Sequence, residues 1–241
     1  MSSFVSVVTP TYNRRKFIPT LIEIYKNQTY PKDKMEWIIV DDGTDSVKDL
    51  FDKASKTIPN IRYYYEPEKM LIGKKRNMLN KLAKGDIIIA MDDDDYYPPN
   101  RISYTVTSMN RYPSIQLAGS SEMYLYYIDT QKIGRVGPYG PNHATNGTLA
   151  YRRSYAKTHK YDETVTHAEE KSFLDDYKNN MIQLDSQKSI LVLCHSTNTF
   201  DKSVLREGAG KGYKETSLTL KNFVKETNVR NFYSSLTHQT A

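Results

Sequence analysis

Four short β-rich runs, each followed by a helical pattern, constrain what this chain of 241 residues can fold into. Phe4–Thr9 is a β-branched run stopped by Pro10, and Phe17, Ile18, Leu21, Ile22 and Tyr25 follow at helical spacing. Glu36–Val40 ends at Asp41-Asp42-Gly43, after which Ser46 heads a short helix carrying Val47, Leu50 and Phe51. Ile61–Tyr65 precedes a helix over Gly73–Ala83 that turns Met78, Leu79 and Leu82 inward. Asp86–Met91 leads to a helix over Ile102–Met109, begun by Pro98-Pro99. The runs are continuous rather than alternating in polarity, so both faces of the sheet are buried. That requires a mostly parallel sheet covered by helices, an α/β fold. Such sheets bind ligands at the carboxyl ends of their strands. Three polar blocks fall there: Pro10–Arg14, Asp41–Gly43 and Asp92–Asp95.

The second half is less regular. Ile115–Gly119, Met123–Ile128, Thr148–Arg152 and Ser189–Cys194 read as strands, and Ala168–Tyr177 as one helix. Gly134–Gly147 reads as a loop, Gly208–Gly212 as a mobile segment and Leu218–Val224 as an amphipathic stretch. The expected organisation is a main domain over 1–203, divided at 105 into a nucleotide-binding and an acceptor-binding half. A lid and helical tail over 204–241 complete it.

Asp92–Asp95 sets the main chemical question. Four adjacent carboxylates repel one another at the end of an apolar strand, and something must offset that. Carboxylates on an irregular turn can share a hard divalent cation; the alternative is a solvated acidic turn. Asp42 is either a helix cap or an acceptor for a nucleobase or ribose. Gly73-Lys74-Lys75-Arg76 opens a helix with a positive end, where anions are favoured; it lacks the spacing of a phosphate-binding P-loop. Glu169-Glu170 serves either the helix dipole or a general-base role. Cys194, the sole cysteine, reads as a buried strand residue and excludes an intrachain disulfide. The formal charge of +6 favours anionic partners. The cations are scattered, however, so a nucleic-acid-binding protein is disfavoured. The first residues carry no basic n-region and no run reaches membrane-spanning length, so the expectation is a soluble cytoplasmic protein.

Val5–Arg14, Trp37–Thr44, Gly73–Asn77 and Gly85–Asp95 with Pro99, in that order, resemble the family 2 glycosyltransferases of GT-A fold. The resemblance covers about the first 105 residues, and its later part rests on Glu169-Glu170. It implies a Rossmann-like nucleotide-diphospho-sugar transferase architecture. It implies that Pro10, Tyr12, Arg14, Asp42 and Arg76 line a nucleotide pocket. Asp92-Asp93-Asp94 is similar to the family's Asp-x-Asp element, with Asp94 binding a metal, Asp92 assisting and Asp93 reaching the ribose. His195 resembles the histidine that completes the metal site in some such enzymes. Glu169-Glu170 occupies the place of the family's Glu-Asp or Asp-Asp pair, so Glu170 is the implied base, at a position where the family more often has aspartate, with Glu169 as alternate.

What this implies is a metal-dependent (Mn²⁺ or Mg²⁺), inverting transfer of one sugar from a nucleoside-diphosphate sugar, UDP most commonly, to an acceptor hydroxyl in glycan synthesis. The loop Gly137–His143 and the strand Tyr124–Tyr127 would shape the acceptor side, and Arg206 with Gly208–Gly212 would close over the diphosphate. Processive synthases carry a Gln-x-x-Arg-Trp element that is absent here, so single addition is expected. The rival readings are a nucleotidyltransferase, which needs a glycine-rich loop where Pro10-Thr11-Tyr12-Asn13 stands, and a non-catalytic nucleotide-sugar-binding domain.

Overall fold

In the computed structural model, which describes residues 3–198, 201–209 and 212–236, the first half builds the parallel sheet as expected. Strands β1 (Val5–Thr11), β2 (Met35–Asp41), β3 (Ile61–Tyr65) and β4 (Ile87–Ala90) alternate with helices α1 (Ile18–Lys26), α2 (Lys48–Ser55) and α3 (Ile72–Leu82). A seven-stranded sheet runs β3-β2-β1-β4-β8-β5-β9, with β5 at Leu117–Gly119, β8 at Ala150–Arg152 and β9 at Met181–Gln183. The pairs among β1–β4 are parallel, whereas β8 runs antiparallel to both its neighbours.

The pleat explains the continuous apolar runs. Val7, Trp37, Ile39, Ile87 and Ile89 pack in one core, while Val8, Ile38, Val40 and Ile88 pack in a second. Successive strand residues point to opposite faces, so each face needs its own apolar set. Every residue of β1, β2 and β4 is buried. Each fully buried Val, Leu or Ile contributes about 1.5–3 kcal/mol.

A second sheet, β10-β6-β7-β11, stands beside the first. It comprises β6 (Met123–Tyr127), β7 (Lys132–Val136), β10 (Leu191–Cys194) and β11 (Lys214–Glu215). An isolated bridge between Tyr96 and Leu191 ties the segment after the aspartates to β10. Helix α4 (Arg101–Arg111) follows Pro98-Pro99, and the short helices α5 (Arg153–Ala156) and α6 (Glu170–Phe173) come later. Helices α7 (Leu220–Phe223) and α8 (Thr227–Ser235) lie in the tail. That tail enters the first core through Phe223, Val224, Val229 and Tyr233, and Phe232 packs edge-on against Phe17 at 5.9 Å.

Three local expectations are corrected. Gly134 begins no loop: it sits in β7, where an added Cβ would come within 2.3 Å of the Tyr213 ring. The glycine is there to admit that ring. Ala168–Tyr177 is not one helix, because α6 ends at Phe173 and Asp175, Asp176 and Tyr177 turn left-handed at φ 48°, 51° and 61°. Ser46 stands one residue before the cap position of α2: Val47 holds that position and its N–H donates to Asp41 Oδ2 at 3.1 Å, while the Ser46 hydroxyl accepts from the Lys48 N–H at 3.4 Å. Of the expected lid, residues 210 and 211 lie outside the described residues.

Candidate active site

The carboxyl ends of β1, β2 and β4 converge. Asp41 closes its own turn by accepting from the N–H groups of Gly43 (2.9 Å) and Val47 and from the Tyr63 hydroxyl. Asp42 is buried, accepting from Met70 N–H at 2.7 Å and from the Lys75 ammonium. Lys75 also donates to the Thr11 carbonyl at 3.0 Å. Burial lowers the Lys75 pKa, and its hydrogen bond to Asp42 opposes that. The Tyr12 ring lies under the Lys69 ammonium at 4.3 Å and the Lys75 ammonium at 5.8 Å, an attraction between cation and ring quadrupole. Pro10, in β1 opposite Val40, completes this corner. Sequence reasoning passed over Lys75 in favour of its neighbour Arg76. A lysine on the inward side of a helix otherwise rich in exposed lysine carries no separate signal.

Cations and hydrogen-bond donors offset the charge of the four aspartates, with Asp93 and Asp94 sharing one arginine. Asp92 pairs with Arg76 at 3.1 Å. Asp93 lies 3.6 Å from Arg14 Nε. Asp94 lies 3.6 Å from Arg14 Nη2 and 3.0 Å from His195 Nε2, and accepts from Asn198 Nδ2 at 3.3 Å. Asp95 accepts from the Leu193 N–H at 2.8 Å, which locks the turn onto β10. Burial and the adjacent Asp94 charge push Asp93 above the ordinary carboxylate range, against Arg14. Burial acts on Asp94 in the same direction, but the His195 hydrogen bond and the charges of Lys202 and Arg14 overcome it and hold Asp94 low.

His195 follows β10 directly. Its ring stacks on Phe17 at 5.1 Å, and Nδ1 lies 2.9 Å from Thr197 Oγ1. Arg14 donates to that same hydroxyl at 2.8 Å and to the Thr197 carbonyl at 2.6 Å. Arg14, Asp94 and His195 thus form one cluster, with Thr197 and Asn198 as members the sequence did not signal. The expected metal set is only partly assembled: Asp94 meets His195, while Asp92 turns to Arg76. Among the described residues no group of three His, Cys, Asp or Glu side chains is arranged to hold a metal. A carboxylate and an imidazole do fit a cation such as Mn²⁺, with its remaining positions left to diphosphate oxygens and water.

Arg76 joins two acidic motifs far apart in sequence. Its Nη1 donates to Asp92 at 3.1 Å and its Nε to Glu169 at 2.8 Å. Asn146 closes the cluster: with its amide turned to satisfy both neighbours, the oxygen accepts from Arg76 Nη1 at 2.6 Å and the nitrogen donates to the Tyr161 hydroxyl at 2.8 Å. The guanidinium is held well above its usual pKa: burial opposes the charge, and Asp92 and Glu169 outweigh it. Gly73, in the first turn of α3, makes the approach of the acidic segment possible. A Cβ there would come 1.8 Å from the Asp162 carbonyl oxygen. Asn77 then fastens the segment, donating to the Tyr161 carbonyl at 2.9 Å and to Glu163 at 2.8 Å.

Glu169 and Glu170 consequently differ. Glu169 is buried against Arg76 at the start of α6. Glu170 is half-buried and has no ion pair among the described residues. Burial first, and the Glu169 charge second, push it up to about 7. Two other expected groups stand apart. Arg206 pairs with Asp129 at 2.9 Å and lies over the Tyr127 ring. Cys194 is buried, which pushes its thiol up to about 12 and leaves it no nucleophile.

The description "Glycosyl transferase family 2" matches residues 6–160. The poly(ribitol-phosphate) beta-N-acetylglucosaminyltransferase TarS of Staphylococcus aureus is 34% identical over 92 residues, 38% of this chain and 16% of that protein. The glycosyltransferase GlyG of Streptococcus pneumoniae is 34% identical over 103 residues, 42% of this chain and 34% of that protein. The chain therefore matches 34% or less of the length of either relative. The crystal structure of S. aureus TarS 1-349 in complex with UDP-GlcNAc superposes with a TM-score of 0.67 at 19% identity, over 81% of this chain and 60% of that one. The mannosyltransferase PcManGT of Pyrobaculum calidifontis, in complex with GDP-Man and Mn2+, gives 0.61 at 16% identity, over 80% and 56%. At these identities the likeness concerns the fold, and the fold is GT-A: α/β with a mostly parallel central sheet flanked by helices. No helix among the described residues is long and apolar enough to cross a membrane.

Proposed function

We propose, from the premise that this chain belongs to glycosyl transferase family 2, that it moves one sugar from a UDP-sugar to an acceptor hydroxyl with inversion, using Glu170 as general base. The observation that carries this is the division of labour at Arg76. The guanidinium engages Asp92 and Glu169, which leaves Glu170 as the unpaired acid of its pair, pushed up to about 7. A base is most effective when its pKa lies near the working pH. An ion-paired Glu169 is a poor base, because its carboxylate is already engaged by the Arg76 guanidinium.

The acceptor oxygen attacks the anomeric carbon while its proton passes to the Glu170 carboxylate, and the bond to the nucleoside diphosphate breaks on the opposite face. Asp42, Tyr12 and Lys75 form the corner suited to the nucleoside. Arg14 supplies fixed positive charge for the diphosphate. Asp94 and His195 would hold a divalent cation such as Mn²⁺, which when bound neutralises charge on the leaving group. UDP is favoured because the TarS neighbour was solved with UDP-GlcNAc. A glycan or polyol acceptor accords with the names of the relatives.

Thermal melting with UDP, GDP, dTDP and CDP, each with Mn²⁺ and with EDTA, tests the donor half of this reading. A ligand that binds only the folded state raises the melting temperature. UDP is expected to do so with Mn²⁺ alone, and Asp94→Ala to abolish the shift. No shift of the wild type by any nucleotide under either condition would sink the proposal.

A further inference from the structure

We infer that Tyr139, His143 and Tyr177 form a stacking shelf for a sugar ring of the acceptor, beside Glu170. This deepens the transfer proposed above and rests on it. The rings stand in a row. Tyr139 and His143 are 4.9 Å apart between centroids, and His143 stacks on Tyr177 at 4.8 Å with 30° between planes. They come from two segments remote in sequence, the loop after β7 and the turn after α6.

These rings lie at the rim of the core. None of the three belongs to the buried set of either core; Tyr177 is half-buried and packs against the second core, and Tyr139 is 42% exposed, one of four large apolar side chains so exposed among the described residues. Exposed aromatic surface costs free energy unless something covers it. The loop is nonetheless held firmly. Tyr139 N–H donates to the Ser121 carbonyl at 3.1 Å, and Gln183 Nε2 donates to the carbonyls of Pro141 (2.8 Å) and His143 (3.0 Å). A surface ring held in place by backbone hydrogen bonds is pre-organised, which lowers the cost of binding.

The opposite side of the row is set by strain. Asp175, Asp176 and Tyr177 all adopt left-handed conformations, which non-glycine residues avoid, and such residues cluster at functional sites. A continued helix would not give Tyr177 this course. The turn sets Tyr177 against His143 and ties it to the helix that carries Glu170: Leu174 N–H donates to the Glu170 carbonyl at 2.8 Å, and Tyr177 N–H donates to the Leu174 carbonyl at 3.0 Å. Burial lowers the His143 pKa, so the row is uncharged near neutrality.

The chemistry selects the ligand. The donor side of the cleft is lined by aspartate, arginine and lysine, which suit a diphosphate. An uncharged aromatic row suits the C–H face of a pyranose, whose polarised hydrogens meet the negative ring faces while its hydroxyls stay at the rim. A ring seated there would present a hydroxyl towards Glu170.

Saturation-transfer difference NMR with methyl glycosides of glucose, galactose, mannose and N-acetylglucosamine as probes tests the shelf, with UDP and Mn²⁺ present. At least one glycoside is expected to receive transfer mainly on the C–H groups of one ring face. Tyr139→Ala and Tyr177→Ala should each cut that transfer at least fivefold, and Tyr139→Phe should retain it. The UDP melting shift should be the same in all four proteins. Equal transfer in the alanine variants, no transfer to any glycoside in the wild type, or the same transfer to linear ribitol would each overturn the inference. A lost UDP shift in the wild type marks failure of the underlying transferase reading instead.

Discussion

The two halves of the cleft, proposed above to take donor and acceptor, place their groups by different means. In residues 3–105 the acids stand where strands end, and the backbone around them is ordinary. The non-glycine residues there with positive φ are Asn13 and Asn60, a residue type that tolerates this region. In the later half the same conformation falls on Gln131, Ala168, Asp175, Asp176 and Tyr177. Four of these five flank Glu169-Glu170. The sheet positions donor ligands without strain, because successive strands deliver their ends to one edge. The acceptor side has no such repeating frame, so individual residues are held in costly conformations by their surroundings.

The sharpest way to break this contrast is at its junction. Glu170→Gln removes the proposed base but not the proposed donor corner, so kcat should fall about a thousandfold, ~4 kcal/mol in barrier, while the UDP-induced melting shift persists. The wild-type kcat/KM should rise tenfold per pH unit below about 7 and level above it, because Glu170 must be ionised to accept the proton. The same raised pKa makes the folded state bind that proton more tightly than the unfolded chain. The associated stability is full below the ordinary glutamate value and is lost as pH rises through about 7; Glu170→Gln should remove that decline. A kcat within tenfold of wild type would instead move the base role to Glu169.

Arg76→Met probes what holds the halves together. It strands Asp92 and Glu169, both largely buried. Breaking a buried pair leaves an uncompensated charge, and about 3 kcal/mol of unfolding free energy should be lost in urea titration. A loss below 1 kcal/mol would mean the two motifs are not joined through this guanidinium. The smallest effect is expected at Asp176→Gly. Its φ is 51° and its ion pairs to Lys171 and Lys178 are long and exposed. Glycine relieves the left-handed strain, so stability should rise by up to about 1 kcal/mol. Destabilisation would show that the turn is not strained.

Much of the site was legible because strand ends are. Asp42, Asp92–Asp95 and Arg14 follow apolar runs, and the carboxyl ends of those runs mark where the ligand edge lies. His195 was legible for the same reason, at the end of β10. Harder to read were Lys75, Thr197 and Asn198, single polar residues with no period. Arg76, expected to line a nucleotide pocket, lies between Asp92 and Glu169. The break after Phe173 escaped because the apolar spacing of Phe173, Leu174 and Tyr177 suits a helix; packing of Tyr177 on His143 outweighs that local preference. Strand β7 escaped because Gly134 signals a loop unless Tyr213 is known to lie against it.

The sequence by itself determined the parallel sheet, its two-sided burial and the gathering of acids at one edge, since each follows from continuous apolar runs alternating with helical spacing, read within about ten residues. Tertiary structure alone decided which acid faces which cation. Arg76 lies 16 residues from Asp92 and 93 from Glu169, and the choice between them is made by burial and charge after the chain has closed. That closure is what leaves Glu170 free, with its proton affinity raised, beside a glutamate of the same type.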